Sequence, residues 1–283
     1  MPAEVQTSKP RPQPLFFNSN GRPLYGLYCA PANPRADAPV LIGCHSVAIE
    51  HNATCRMLAL VTREAAAAGF PALVYHSRGH GDSAGDVADV SFETLVEDAL
   101  SAADEACRRS GATRVIWLGV RFGCLVAAEA ARRRPGAAAL ALWEPLHRGA
   151  DYFRQLARGI LFAAVARGEK PNKTADDLLN EVDREGRVQV YGSYLYHKFY
   201  DSGRRVELAK SLEHWSGPTQ LAQIQPRLTL APTNAALAAS LEARGAKVHV
   251  TRIGDEPGWQ ISGLPWLSPP LLTETGAWLH ALA

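Results

Sequence analysis

The pentapeptide Gly119-Val120-Arg121-Phe122-Gly123 joins an apolar run, Arg114–Gly119, to an alanine-rich helical stretch, Phe122–Arg134. A short continuous apolar run followed at once by a helical pattern is typical of a buried parallel strand that enters a helix. The two glycines allow the sharp turn and the close backbone packing that such a junction needs. The pentapeptide therefore predicts an α/β fold with Arg121 at the carboxyl edge of a sheet, where ligands bind in folds of this class.

Strand and helix patterns alternate on both sides of this junction. The connections are too long for hairpins, except at Asn20-Gly21, so the sequence predicts a mostly parallel sheet with helices on both faces. The other predicted strands are Leu15–Phe17, Leu24–Cys29, Pro39–His45, Pro71–His76, Ala138–Trp143, Arg227–Ala231 and Lys247–Arg252. The other predicted helices of the main fold are Thr54–Ala68, Ser91–Arg109, Ala235–Arg244 and Leu271–Leu282.

The alternation stops over residues 147–217, a polar and aromatic stretch with helical pieces. We expect this stretch to form a cap inserted over the carboxyl edge of the sheet, within one domain that spans residues 15–283. The first 14 residues contain four prolines and no apolar segment, which predicts a disordered tail and no signal peptide.

Composition excludes several classes of function. Lys and Arg number 30 against 28 Asp and Glu, and a net charge of +2 argues against a dedicated nucleic-acid binder. No apolar run approaches the roughly 18 residues of a membrane span. The five cysteines are odd in number, widely spaced and without a C-x-x-C pair, so we expect a reduced, cytoplasmic protein without a zinc site. The remaining expectation is a small-molecule ligand, with no metal and no cofactor.

Two motifs resemble the α/β-hydrolase superfamily over the chain from Leu15 onward. The pentapeptide has the context of the nucleophile elbow G-x-S-x-G, and residues 76–85 (HSRGHGDSAG) resemble the D-x-R-G-x-G-x-S-x-G loop of many such hydrolases. Arg121, however, stands where the resemblance implies a serine. The implied acid position reads Pro232-Thr233-Asn234, and the implied histidine position, Ile253–Gly263, contains no histidine. The resemblance thus implies a fold without the Ser-His-Asp triad.

A narrower resemblance is to the second type of exosortase-system-associated hydrolases, which implies a role beside exopolysaccharide biosynthesis. His45 and Ser46 depart from it, because the resemblance implies prolines there. The residues that carry it are Gly119, Arg121 and Gly123 for G-L-R-x-G, Glu50, Asn52, Arg56 and Met57 for E-x-N and Arg-Met, and Trp259 with Gln260 for a Trp-Gln pair.

Arg121 is the central candidate for function. A guanidinium at a helix N-terminus can clamp a carboxylate or phosphate or stabilise an oxyanion, and the alternative is an internal ion pair with Glu50. We expect the base to be Glu50, or Glu144 acting with His147. His45 and Ser46 occupy the loop where an oxyanion hole would lie. Candidate substrate-binding residues are His45, Ser46, Asn52, Phe122, Trp259 and Gln260.

Ser83 matches G-x-S-x-G literally, but it lies inside a loop, so we expect a structural role. Three functions then remain open. The chain can be an enzyme that hydrolyses or transfers an anionic acyl or ester group by a non-standard mechanism. It can be a pseudohydrolase that only binds such a ligand, or a scaffold in which Arg121 is buried against Glu50 or Glu144.

Overall fold

The fold was analysed in a computed structural model, which describes residues 10–260 and 265–282. Eight strands form one sheet in the order β1-β2-β4-β3-β5-β6-β9-β10. The pairs β1–β2 and β2–β4 are antiparallel, and the other pairs in this sheet are parallel. The strands are β1 Gln13–Ser19, β2 Arg22–Cys29, β3 Val40–Cys44, β4 Ala72–Tyr75, β5 Val115–Val120, β6 Ala137–Trp143, β9 Thr219–Ile224 and β10 Val248–Ile253.

Helices cover both faces of the sheet, as predicted. The helices α1 and α9 pack on one face, whereas α2, α3 and α8 pack on the other. The strands β3, β4 and β5 between them are buried throughout, which explains their continuous apolar sequences. The bounds are α1 Ile49–Ala67, α2 Phe92–Ser110, α3 Gly123–Arg133, α8 Pro232–Ala243 and α9 Pro269–Ala281.

Local signals account for several of these boundaries. The hairpin between β1 and β2 turns at Asn20 and Gly21, both with positive φ, as its Asn-Gly pair predicts. Ser91 caps α2 in a capping box with Thr94, and Gly111 ends that helix in the left-handed conformation. Of the predicted tail, residues 1–9 lie outside the described residues, and β1 begins at Gln13.

The predicted strand Arg227–Ala231 is wrong. The next-to-last strand is β9, Thr219–Ile224, and residues 225–231 form the loop that follows it. The sequence TQLAQI hides this strand because its buried polar side chains are hydrogen-bonded: Gln220 donates to Thr251, and Gln223 donates to the Thr229 carbonyl. Leu228, which suggested a core strand, is 55% exposed.

The segment between β6 and β9, called the cap segment below, forms a helical layer that also contains a small two-stranded sheet. Phe122, next to Arg121 on the main fold, anchors this layer through edge contacts with Phe153 and Phe199. No helix in the described ranges has both the length and the apolar character of a membrane span. The elements of the segment are α4 Gly149–Ala166, α5 Ala175–Glu185, β7 Arg187–Val190, β8 Ser193–Tyr196, α6 His197–Arg204 and α7 Leu208–Ser211.

Candidate functional site

The turn from β5 to α3 has the backbone geometry of a nucleophile elbow. Arg121 has φ of 54°, a left-handed conformation that costs energy for a side chain of this size. Both glycines are required by close packing. A Cβ on Gly119 would overlap the backbone of Gly123 and Cys124, and one on Gly123 would overlap the carbonyl groups at the end of β3. The strained turn is therefore held in place, and it presents an arginine.

The Arg121 side chain is buried and contacts three separate elements. Its Nη2 lies 3.2 Å from Glu50 Oε1 in α1 and 2.5 Å from Gln155 Oε1 in α4. The guanidinium carbon also lies 5.3 Å from the centre of the Trp259 ring, within the range of a cation–π contact. The internal ion pair with Glu50, the alternative to the anion clamp, is thus present, and the hydrogen bond to Gln155 ties the cap segment to the edge of the sheet.

Glu50 is hydrogen-bonded through both carboxylate oxygens. While Oε1 accepts from Arg121, Oε2 accepts from the Ser46 hydroxyl at 2.6 Å. Glu50 is 6% exposed, Ser46 1% and Arg121 4%. Burial of both charges is tolerated because each is paired and hydrogen-bonded.

Trp259 closes the site from the last loop. It packs against Trp266 at 89° with ring centroids 5.1 Å apart, and its side chain is 1% exposed. Gln260 was predicted to lie beside it as a substrate-binding residue, but its side chain lies outside the described part of the structure.

Glu144 and His147 follow β6, and the structure gives them different partners. Glu144 accepts hydrogen bonds from the Ile224 backbone N–H at 2.6 Å and from Gln225 at 2.7 Å. His147 is half-buried, and its Nε2 lies 2.9 Å from Asn234 Oδ1. Both side chains therefore fasten the end of β6 to β9 and α8, and no hydrogen bond joins them to each other among the described residues.

The loops after β9 and β10 occupy the positions of the acid and the histidine in this fold. Correction of β9 moves the acid position to residues 225–231, which read QPRLTLA and contain no carboxylate. Asn234, in the stretch first assigned to this position, is buried and donates to Gln223. The loop after β10 carries Asp255 and Glu256 but no histidine.

A cavity of about 490 Å³ lies between the carboxyl edge of the sheet and the cap segment. Asn52, predicted to bind substrate, lines it and is exposed, whereas Arg121, Glu50 and Phe122 do not line it. None of its described lining residues is Asp, Glu, Lys or Arg. The walls are mainly apolar and aromatic, with Val47, Ile49, Val90, Leu156, Val190, Tyr191, Tyr194, Leu195, Tyr196 and Phe199 prominent among them.

Sequence reasoning missed a group of histidines beside this cavity. His51 and His80 line the cavity, and His45 and His76 pack against His51 with ring centroids 4.7 and 4.8 Å away. Among these only His45 was a candidate. The available signal was their density, since four of the nine histidines fall between positions 45 and 80.

Ser83 has the structural role predicted for it. Its hydroxyl donates to the His76 carbonyl at 2.6 Å and accepts the Tyr25 backbone N–H at 2.9 Å. These two bonds fasten the loop after β4 to strand β2. A serine held in this way has no free hydroxyl hydrogen to give to a base.

The order of the strands, the elbow and the cap segment together define an α/β-hydrolase fold. Residues 40–188, more than half of the chain, match the family described as serine aminopeptidase, S33. The chain belongs to this family of α/β-hydrolases. No curated protein is significantly similar to it.

Solved structures of esterases and peptidases share the fold over almost the whole chain. Est1E from Butyrivibrio proteoclasticus with bound ferulic acid has a TM-score of 0.66 at 16% identity, covering 94% of this chain and 96% of its own. An esterase from Pyrococcus furiosus has a TM-score of 0.62 at 12% identity, covering 96% and 90%. A proline iminopeptidase from Mycobacterium smegmatis has a TM-score of 0.60 at 16% identity, covering 95% and 98%.

Proposed function

We propose that this chain is a pseudohydrolase, which binds a small molecule beneath the cap without a Ser-His-Asp triad. The observation that carries the proposal is the ion pair of Arg121 with Glu50 at the elbow. A guanidinium has no proton it can give up near neutral pH and cannot act as a nucleophile. Its charge is already neutralised by Glu50, so an anionic ligand would have to displace that carboxylate.

The cavity supports a ligand that is mainly apolar or aromatic. Its volume of about 490 Å³ falls within the range of small-molecule sites, roughly 300–1,000 Å³. Asn52, Ser193 and the tyrosine hydroxyls supply polar contacts in a wall without formal charge. Such a wall favours a neutral compound over an anion, because an anion would lose its hydration without gaining a counter-charge.

The second candidate is the enzyme: hydrolysis or acyl transfer on an anionic acyl or ester substrate, with Glu50 as the base. The observation in its favour is the short hydrogen bond of 2.6 Å from Ser46 to Glu50. A hydroxyl bonded to a carboxylate can lose its proton to it when it attacks an acyl carbon. In this candidate Arg121 would stabilise the oxyanion that forms.

We also propose that the chain belongs with the exosortase-associated proteins and acts in the cytoplasm beside exopolysaccharide biosynthesis. Three motif residues that are far apart in the sequence support this proposal: Glu50 and Trp259 both contact the guanidinium of Arg121. Residues that serve the fold alone need not converge in this way.

Ferulate and its methyl ester separate these candidates, since one is anionic and the other is a neutral ester. Their choice follows from the ferulic acid bound by Est1E, a protein of the same fold. We expect calorimetric titration to show binding of methyl ferulate with weaker binding of ferulate, and chromatography to show no hydrolysis of the ester.

Two matched variants test whether binding occurs in the cavity. Ser193→Trp places a large side chain on the exposed rim of the cavity, and Ser240→Trp places the same side chain on the exposed surface of α8. We expect the first variant to weaken binding at least tenfold and the second to leave it unchanged. Absence of binding by both probes contradicts the proposal. Hydrolysis that is lost in Glu50→Gln, with that variant shown by circular dichroism to be folded, establishes the enzyme instead.

A further inference from the structure

A thiol and four imidazoles from three parts of the chain meet at the carboxyl edge of the sheet. His45 follows β3, His51 and Cys55 lie on α1, and His76 and His80 lie in the loop after β4. The ring centroids of His45 and His76 are 5.6 Å apart, and those of His51 and His80 are 5.2 Å apart. They converge because β3 and β4 are neighbouring parallel strands, so both strands end at the same edge.

Two ring nitrogens in this group have no hydrogen-bond partner among the described residues. These are Nδ1 of His45 and Nε2 of His51. Both atoms are fully buried, and the two residues are 7% and 3% exposed. An unpaired buried polar atom costs about 1–3 kcal/mol, so native proteins rarely retain one without a purpose. A bound metal ion is a partner that an imidazole nitrogen accepts readily.

We propose that His45, Cys55 and His76 form a binding site for a divalent transition metal of the Zn²⁺ type. One nitrogen of each histidine and the Cys55 sulfur all lie within 4.8 Å of one another. The distance from Cys55 Sγ to His76 Nε2 is 3.9 Å. Tetrahedral zinc with N and S ligands separates its donors by about 3.3–3.6 Å, so side-chain rotations must bring the donors at most about 1.5 Å closer.

The donor set matches this type of metal. Imidazole and thiolate favour zinc, copper or nickel over magnesium and calcium, which prefer oxygen ligands. Two histidines and one cysteine leave a fourth position for water or a ligand. The sequence predicted no metal site, because it has no C-x-x-C pair and these three ligands come from three elements.

The histidines are already in the protonation state that binds metal. Burial, assisted by the neighbouring imidazoles, lowers the pKa of His45 and His51 well below the ordinary value. Burial also lowers the pKa of His76, so all three rings are neutral at pH 7. Burial raises the pKa of the Cys55 thiol to about 11, so the metal must displace one proton: Cys–SH and M²⁺ give Cys–S–M⁺ and H⁺, and the proton passes to the buffer.

The surroundings of His76 fit a metal-binding ring. Its Nε2 faces Cys55 while its Nδ1 lies 3.8 Å from Asp82 Oδ2 and accepts the Asp82 backbone N–H at 3.2 Å. Metal at Nε2 requires the ring proton on Nδ1, so metal binding exchanges the bond from the Asp82 N–H for a bond from Nδ1–H to the Asp82 carboxylate, the arrangement common around zinc ligands. Gly81 passes so close to the ring that a Cβ there would overlap Nδ1, which restricts the orientation of His76.

The same three residues, Cys55, His76 and Asp82, could instead be read as a nucleophile with its base and orienting acid. The raised pKa of the thiol argues against that reading, since the attacking species would be a thiolate. A metal removes the difficulty, because coordination deprotonates the thiol directly.

The test uses the full chain without a polyhistidine tag, dialysed against chelator and then titrated with Co²⁺ and Zn²⁺. We expect one equivalent of Co²⁺ to give a thiolate-to-cobalt charge-transfer band and the intense visible bands of tetrahedral coordination, both removed by Zn²⁺. Calorimetry with Zn²⁺ in buffers of different ionisation enthalpy should show release of about one proton at pH 7.

Four variants assign the ligands. Cys55→Ser and His76→Asn should abolish the charge-transfer band, and Asp82→Asn should weaken Zn²⁺ binding by about 10–100-fold. Cys107→Ser, a half-buried cysteine on α2 remote from the site, is the matched control and should bind as the unmodified chain does. Circular dichroism checks that each variant is folded. No stoichiometric metal binding by the folded chain, or a band that survives in Cys55→Ser, overturns the proposal.

Discussion

Arg121 and Glu50 form a buried ion pair with Nη2 and Oε1 3.2 Å apart, at the turn where hydrolases of this fold place their nucleophile. The second carboxylate oxygen of Glu50 is held by Ser46, and the arginine is also bonded to Gln155. The elbow therefore joins β5, α1 and the cap segment in one polar network. Neither Arg121 nor Glu50 lines the cavity, so the proposed ligand site is distinct from the elbow position.

Removal of one charge from this pair should be costly. In Glu50→Gln the buried guanidinium loses its counter-charge, and we expect the free energy of unfolding to fall by about 3–5 kcal/mol. Urea denaturation at pH 7 measures the loss. The double variant Glu50→Leu with Arg121→Met removes both charges and should be more stable than Glu50→Gln. A change below about 1 kcal/mol in Glu50→Gln would show that the pair is not formed.

The two glycines at positions 123 and 276 should respond oppositely to alanine. A Cβ on Gly123 would overlap the carbonyl oxygens of Cys44 and His45, so Gly123→Ala should lose about 2–3 kcal/mol or more. Gly276 lies inside α9 with its nearest foreign atom 3.6 Å from a Cβ, so Gly276→Ala should gain about 0.5–1 kcal/mol. Thermal unfolding of both variants measures these opposite changes in stability. Equal changes in the two variants would contradict the close packing at Gly123.

Ser83→Ala should affect stability and not chemistry. The variant removes an acceptor for the Tyr25 N–H and a donor to the His76 carbonyl, which should cost about 1–2 kcal/mol in urea denaturation. Ligand binding and any ester turnover should stay as in the unmodified chain. A rate loss of a thousandfold, about 4 kcal/mol of barrier, would mean that Ser83 is a nucleophile after all.

Stability should fall as the pH drops below the ordinary pKa of histidine. Because burial lowers the folded-state pKa of His45 and His51 well below 6.5, the unfolded chain binds protons more readily than the folded chain. Their contribution to the free energy of unfolding is complete above pH 6.5, and it is lost as the pH falls toward their lower folded-state pKa values. Each should cost about 1.4 kcal/mol between pH 7.5 and 5.5.

Urea denaturation at these two pH values measures that slope in the metal-free chain. His51→Asn should reduce the difference in unfolding free energy between the two pH values by the contribution of one histidine. His280→Asn, at an exposed position in α9, should leave that difference unchanged. Stability that rises on acidification would contradict the buried, neutral state of these rings.

Most of the architecture could be predicted from the sequence, because the patterns that indicate it are local. The Asn20-Gly21 turn, the cap at Ser91 and the apolar strands on either side of the elbow each follow from a short pattern. The strand β9 could not be predicted, because its glutamines form hydrogen bonds with residues of other elements and give the segment the composition of a loop. The exposed Leu228 and its neighbours imitated the apolar pattern that β9 lacks.

The site could be predicted from the sequence only in part, because its contacts join residues that are far apart in the chain. Glu50 was predicted as the alternative partner of Arg121, but the contacts of Arg121 with Gln155 from the cap segment and with the ring of Trp259 depend on tertiary packing. Cys55 and His76 are 21 residues apart and give no motif, and only the neighbouring positions of β3 and β4 bring them together.

The most direct test of the account is covalent labelling of the chain with a fluorophosphonate, read by intact-protein mass spectrometry. An activated serine in an α/β-hydrolase reacts stoichiometrically with such a reagent, because its hydroxyl is paired with a base. The account predicts an unlabelled chain in which Arg121 occupies the elbow. One label per chain, mapped to Ser46, Ser83 or any other serine, would contradict it and show that this protein retains serine hydrolase chemistry at another position.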